Sequence, residues 1–169
     1  MKKILPVIGL FGTCGNSTWR QYFIQRYIYE GINFYNPQVA DGEWSEEMAT
    51  EEAEHLVNDD ILLFPVTSET YGLGSLSETG FSILSALRSL EHRSVIVLID
   101  PLPDEGLKEN ADLYKESVRA RALVLAHIKK LRAPNVYLVS NMTDMLACSL
   151  KLYRAHQNLY AAKHWSVGC

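Results

Sequence analysis

Glu78 lies three residues after Ser75 in TSETYGLGSLSETGFSILSALRSL (residues 67–90), where a loop rich in Gly, Ser and Thr leaves an apolar strand and feeds a helix. A carboxylate in the first turn of that helix is kept ionised by the helix dipole and can attack an electron-poor carbon at the strand's carboxyl end. The same letters spell Ser-x-x-Glu, a capping box in which Ser75 accepts from the Glu78 amide and Glu78 reaches back to the Ser75 amide. Both readings stay open on these residues alone. A second stretch, GTCGNST (residues 12–18), precedes another helix and can cradle an anion with its backbone amides. It lacks the P-loop lysine and does not spell GxGxxG. Cys14 within it has no nearby histidine to activate it, which favours a plain loop thiol over a nucleophile.

Trp19 and Trp44 sit at loop–helix junctions, where an aromatic ring can stack on a planar base or simply pack. Glu46, Glu47, Glu51, Glu52 and Glu54 form an acidic helix that is mostly a solvated face, from which one side chain can still reach a pocket. His55, His92, His127, His156 and His164 have no metal-ligand spacing, so no metal and no cofactor are expected.

The elements that position these residues alternate. Residues 4–11 are nearly continuous apolar sequence, as in a strand covered on both faces. A helix over 19–30 carries Tyr22, Phe23, Tyr27 and Ile28 at helical spacing and stops at Gly31, a C-cap. A short strand at 32–35 ends at Asn36-Pro37, and Ser45 caps a helix over 46–58 whose first turn is acidic. A third strand at 60–66 precedes the Glu78 helix, whose Phe81, Leu84 and Leu87 or Leu90 should face the core. SVIVLI (94–99) is the strongest strand signal, β-branched and uncharged. A long helix over 111–131, a fifth strand at 136–139 and a final helix over 143–162 complete the chain.

Strands alternating with helices, without repeat or linker, predict a single α/β domain over residues 1–169: a doubly wound, flavodoxin-like or Rossmann-like parallel sheet of five strands in a three-layer αβα sandwich. Ligands of such sheets sit outside the strand carboxyl ends, where the loops at 12–18, 36–44, 67–77, 100 onward and 140–142 converge.

Composition narrows the partners. The 169 residues are 47% hydrophobic and 21% charged with a net charge of −4, a balance that suits one globular core and argues against nucleic acid or an anionic membrane as the main partner, since either favours a basic face. The N-terminal MKKILPVIGLFGTCG has a superficial likeness to a signal, but its apolar run is short and broken by Pro6 and Gly9; a buried first strand is the better reading. No stretch is long enough to span a bilayer. Cys14, Cys148 and Cys169 form neither a disulfide framework nor a CxxC pair, which points to a reducing cytoplasm.

Taken together, GTCGNSTWR (12–20), FYNPQV (34–39), Trp44, NDDILLFPVT (58–67) and YGLGSLSETG (71–80) resemble the nucleoside 2-deoxyribosyltransferase-like family, most closely its branch with a GTC-x-x-S-x-W-R loop after the first strand. The likeness runs in order as far as Asp100; beyond it only the fold is shared. The resemblance implies a domain that breaks and remakes the N-glycosidic bond of a nucleoside, with the glutamate after the third strand as nucleophile, here Glu78. It further implies an acidic residue in the second helix that holds and protonates the base, best matched by Glu52 with Glu51 as alternative. A polar residue before the nucleophile falls at Glu69 or Thr70. By the same likeness Gly12, Thr13, Cys14, Asn16, Ser17, Trp19, Arg20, Asn36, Trp44, Tyr71, Gly74 and Ser75 surround the substrate. The chain departs from the better-known branch at the first strand, where Leu10 and Phe11 replace a tyrosine that orients the nucleophile; Tyr71 is a candidate substitute.

The expected partner is therefore a small nucleoside or nucleotide. Family members are commonly homo-oligomers, and Tyr153, Tyr160 and Trp165 of the final helix suit such an interface, although an intramolecular core explains the apolar ones equally well. Competing readings are a nucleoside 5′-monophosphate N-glycosidase, with Arg20 and the loop amides holding the phosphate, a nucleotide-binding module without catalysis, and cleavage of a dinucleotide such as NAD at its ribosyl bond.

Overall fold

The computed structural model describes residues 5–14, 17–38, 45–88 and 93–165, the side chains of 163–165 excepted. Five parallel strands, β1 (Ile8–Leu10), β2 (Phe34–Tyr35), β3 (Ile61–Val66), β4 (Ser94–Ile99) and β5 (Val136–Leu138), are ordered β2-β1-β3-β4-β5. Between them run α1 (Trp19–Glu30), α2 (Glu46–Asn58), α3 (Leu73–Arg88), a 3₁₀ turn (Glu105–Glu109) and α4 (Ala111–Leu131), and α5 (Met142–Trp165) closes the chain. This is a flavodoxin-like three-layer αβα sandwich, as the alternation predicts.

The period of two along the strands divides the core. Ile8, Leu10, Ile61, Leu63, Ile96 and Leu98 meet Trp19, Phe23 and Tyr27 of α1 and Met145, Leu146 and Tyr153 of α5 on one face. Leu62, Phe64, Val66, Val95, Val97 and Ile99 meet Leu76, Ile83 and Ala86 of α3 and Ile128 of α4 on the other. Both faces of β3 and β4 are covered, which is why these strands carry no charge.

Several boundaries move. β1 pairs only over Ile8–Leu10, because the Val7 amide is taken by Asp60 Oδ2 at 2.8 Å rather than by the ladder. β2 is two residues long, since the Ile32 amide returns to the Tyr27 carbonyl at 2.9 Å to finish α1 around Gly31, which has φ 65°. α1 buries Phe23 and Tyr27 but leaves Tyr22 and Ile28 exposed.

The largest departure is in α3. It begins at Leu73, so Glu78 lies in the second turn and no Ser75–Glu78 capping box forms. Its buried face is Ser75, Leu76, Thr79, Ser82, Ile83 and Ala86, while Phe81 is 79% exposed and Leu84 and Leu87 also face outward. Small side chains on the inner face let the helix lie close to the sheet, and Thr79 Oγ1 satisfies itself on the Ser75 carbonyl at 2.6 Å. Leu90, also expected on that face, lies outside the described residues.

Candidate active site

Strand order reverses between β1 and β3, and a cavity of about 300 Å³ opens at their carboxyl ends, lined by Gly12, Cys14, Glu52, Thr70, Gly72, Leu73, Gly74, Ser75 and Glu78. Its floor is the loop after β1. Gly12 has φ 114°, and a Cβ there would stand 2.7 Å from the Pro65 carbonyl oxygen, so only glycine lets the loop lie against the end of β3. Thr13 stitches the two together: its amide and hydroxyl both donate to the Pro65 carbonyl at 3.0 Å, and its hydroxyl accepts from the Thr67 amide at 2.9 Å.

Behind that floor lies Arg20, 1% exposed. Its Nε donates to the Leu10 carbonyl at 3.0 Å, Nη1 to the Thr13 carbonyl at 2.7 Å, and Nη2 to the Gly12 carbonyl at 3.2 Å and to Cys14 Sγ at 3.4 Å. The guanidinium is turned into the protein rather than out to a phosphate. Trp19 is buried as well, with Nε1 on the Thr13 carbonyl at 2.9 Å and its ring edge against Phe23, so it packs and does not present a stacking face. Ser17 is buried beside them, its hydroxyl without a partner among the described residues.

The roof is the loop from β3 into α3. Thr70 lines the cavity and its hydroxyl accepts from the Gly72 amide at 3.1 Å. Gly72, with φ 67°, turns the chain into α3, and Gly74 has open space where a side chain would stand. Glu69 points away: its carboxylate accepts from the Thr67 hydroxyl at 3.0 Å, and it is exposed. Tyr71 does not orient Glu78, because its hydroxyl donates to the Leu107 carbonyl at 2.9 Å. Asn36 accepts from the Gln38 amide at 3.2 Å in a local turn and is not among the described lining residues. Asn16 and Trp44 lie outside the described residues.

Two carboxylates therefore share the cavity, Glu52 from α2 and Glu78 from α3. Burial pushes the Glu78 carboxyl above the ordinary carboxylate range, the negative charge of Glu52 pushes it further, and Arg20 opposes both. Burial also raises Glu52, again opposed by Arg20. Such a pair can divide the roles of nucleophile and proton donor. Of the sequence-predicted residues, the fold brings Gly12, Cys14, Glu52, Thr70, Gly74, Ser75 and Glu78 to the cavity and uses Thr13, Trp19 and Arg20 to build its wall. Sequence reasoning missed Arg121 of α4, which is wholly buried. It donates to the carbonyls of Val66, Asp100, Thr67 and Thr70 at 3.1, 2.8, 2.9 and 2.7 Å. The available signal is Ser117-x-x-x-Arg121, two polar residues one helical turn apart on a stripe that should be apolar.

Of the α5 aromatics, Tyr153 is buried in the core, and Tyr160 is half-buried with its hydroxyl bonded to Asp60. The side chain of Trp165 is not described. Among the described residues no helix is long and apolar enough to cross a membrane.

Fold and cavity together define a flavodoxin-like α/β protein with an acidic pocket at the topological switch point. No family model and no curated protein matches the chain. Among solved structures, the crystal structure of a conserved protein from Enterococcus faecalis V583 is similar over 85% of this chain and 96% of that one, with 17% identity and a TM-score of 0.52, a likeness of fold.

Proposed function

We propose that this protein cleaves the N-glycosidic bond of a nucleoside and passes the sugar to another base or to water. The observation that carries the reading is the Glu52–Glu78 pair facing one cavity from two helices. Glu78, ionised, attacks the anomeric carbon as the carbon–nitrogen bond breaks, and Glu52 gives its proton to the departing base. The Thr70 hydroxyl, already accepting from Gly72, has its proton left for the base. In the second step an acceptor base or water attacks the same carbon from the face the first base left. Glu52 takes the acceptor's proton and Glu78 departs, so configuration is retained.

An uncharged nucleoside fits better than its monophosphate, because both charged lining residues are acidic and Arg20 is committed to loop carbonyls. A volume of about 300 Å³ is at the small end of ligand pockets and suits a nucleoside rather than a dinucleotide.

The test is chromatography of deoxynucleosides incubated with the protein, with and without a free acceptor base. Glu78→Gln should lower turnover by about 10⁴-fold or more and Glu52→Gln by about 10²–10⁴-fold. The pH profile should be bell-shaped, rising as the Glu52–Glu78 pair loses its first proton and falling as it loses the second, both steps displaced upward by burial. A tenfold preference for monophosphates would overturn the substrate assignment; saturable nucleoside binding with no product would make the chain a binding module.

A further inference from the structure

We propose that Arg20 is a positioning residue of this site: its buried guanidinium fixes the cavity floor through three loop carbonyls and stands as the positive counter-charge to Glu52 and Glu78. The mechanical half follows from its contacts. The carbonyls of Leu10, Gly12 and Thr13 lie around the carboxyl end of β1, where a strand runs out of ladder partners, and one planar fork reaches all three. A lysine ammonium is too compact to span them, and a glutamine has only two N–H groups.

The electrostatic half follows from what is missing among those contacts. A buried cation is ordinarily paired with a carboxylate at contact distance. Among the described residues, every direct partner of Arg20 is a neutral carbonyl or the Cys14 thiol, and its aromatic neighbour is the Trp19 ring, 4.5 Å from Cζ. Arg20 bonds directly to Gly12 and Cys14, two residues that line the cavity with Glu52 of α2 and Glu78 of α3, and Cys14, Glu52 and Glu78 all favour its charged form against burial. The interaction is mutual: Arg20 is the influence that draws Glu52 and Glu78 toward ionisation, against the burial that raises both. Arg20 thereby favours the ionised form of the nucleophile, against burial and the charge of Glu52.

The catalytic consequence rests on the glycosidic reading, but the coupling itself does not, and the experiment separates them. Glutamate carboxyl carbons are titrated by ¹³C NMR in the parent, in Arg20→Gln and in Arg20→Lys, with Glu52→Gln and Glu78→Gln assigning the signals. In folded Arg20→Gln both midpoints should move to higher pH, and kcat/KM should fall about threefold or more further at pH 5 than at pH 8. Arg20→Lys keeps the charge and loses the fork, so its kcat/KM should fall by one factor at every pH with the acid limb in place. Midpoints that stay put in folded Arg20→Gln overturn the proposal. Should that variant not fold, the ¹⁵Nε resonance of Arg20 in the unaltered protein decides: it should follow the carboxyl titrations, and a flat response between pH 4 and 8 overturns the proposal. Absence of turnover with every nucleoside would overturn the glycosidic reading and leave the NMR result to stand alone.

Discussion

Two loops frame the cavity, and a wholly buried arginine locks each, yet the two arginines differ in what their charge meets. Arg20 gathers the carbonyls of Leu10, Gly12 and Thr13 after β1 and is faced by Cys14, Glu52 and Glu78. Arg121 gathers those of Val66 and Thr67 after β3, Asp100 after β4 and Thr70 in the roof, takes Ser117 Oγ on its Nε at 3.2 Å, and is faced by Asp100, Asp104 and Tyr114 outside the cavity. The shared problem is geometric. Parallel strands end in carbonyls that point into loops, and a buried carbonyl without a donor is expensive. The shared answer is the five-donor fork of arginine. The difference teaches that a buried charge can be a fastener alone, as at Arg121, or can also supply a field to reacting groups, as we propose for Arg20.

The sharpest way to break that contrast is Arg121→Met. Removing the fork takes the arginine donor from the carbonyls of Thr67, Thr70 and Asp100, while Val66 keeps the Asp100 amide at 2.9 Å. It should lower stability by about 3–5 kcal/mol in chemical denaturation, while the titrations of Glu52 and Glu78 stay where they are in the parent. If those titrations moved as far as in Arg20→Gln, the two locks would be one device. A smaller effect isolates what the Arg121 lock holds. Gly72, at φ 67°, has no room for a side chain: a Cβ would stand 2.6 Å from Val66 Cγ1 and 3.2 Å from Arg121 Nη2. Gly72→Ala should therefore cost about 1–3 kcal/mol. Gly80, in the exposed middle of α3 with nothing within 4 Å, is the control, and Gly80→Ala should gain about 0.5–1 kcal/mol from helix propensity. Equal effects at the two glycines would show that the turn into α3 is not fixed by Val66 and Arg121.

The contrast also shows where the sequence is legible. β4 and α4 have the bounds their residues predict, because an uncharged β-branched run and an Asn110 cap, which accepts from the Leu113 amide at 3.1 Å, are decided locally. α2 is placed equally well by Ser45, whose hydroxyl accepts from Met48. The cavity and most of its lining follow from alternation and topology. The start of α3 does not, since Ser-x-x-Glu is a sound local signal overruled by the turn at Gly72, whose surroundings come from β3 and α4. Arg121 is legible only as a polar residue one turn after Ser117, and its contacts are not, because its carbonyl partners are 21 to 55 residues away. Arg20 is legible as a charge but not in its contact, because an arginine in a glycine-rich loop motif looks the same whether it faces a phosphate or the loop's own carbonyls.

The smallest effect tests whether the acidic cavity is a liability to the fold. Glu78 has its carboxyl raised in the folded protein by burial and by Glu52, against an ordinary value of 4.5 when the chain is unfolded. Between those two values the folded state holds the extra proton, so this group's contribution is fully favourable below the unfolded value and is lost as pH rises through the folded one. At neutral pH the ionised carboxylate is then a standing strain on the structure. Glu78→Gln, which keeps the shape and removes the charge, should melt above the parent at pH 7, and the difference should vanish as the pH falls below the ordinary carboxylate value. Removing Arg20 acts in the opposite sense, because it withdraws the one influence that favours ionised Glu78, so Glu78→Gln should stabilise an Arg20→Gln background more than it stabilises the parent. A Glu78→Gln variant that melts lower than the parent at pH 7 would mean that the ionised carboxylate holds the structure together. Glu78 would then be a structural anion paired to Arg20, and no longer a nucleophile held ready at a cost to the fold.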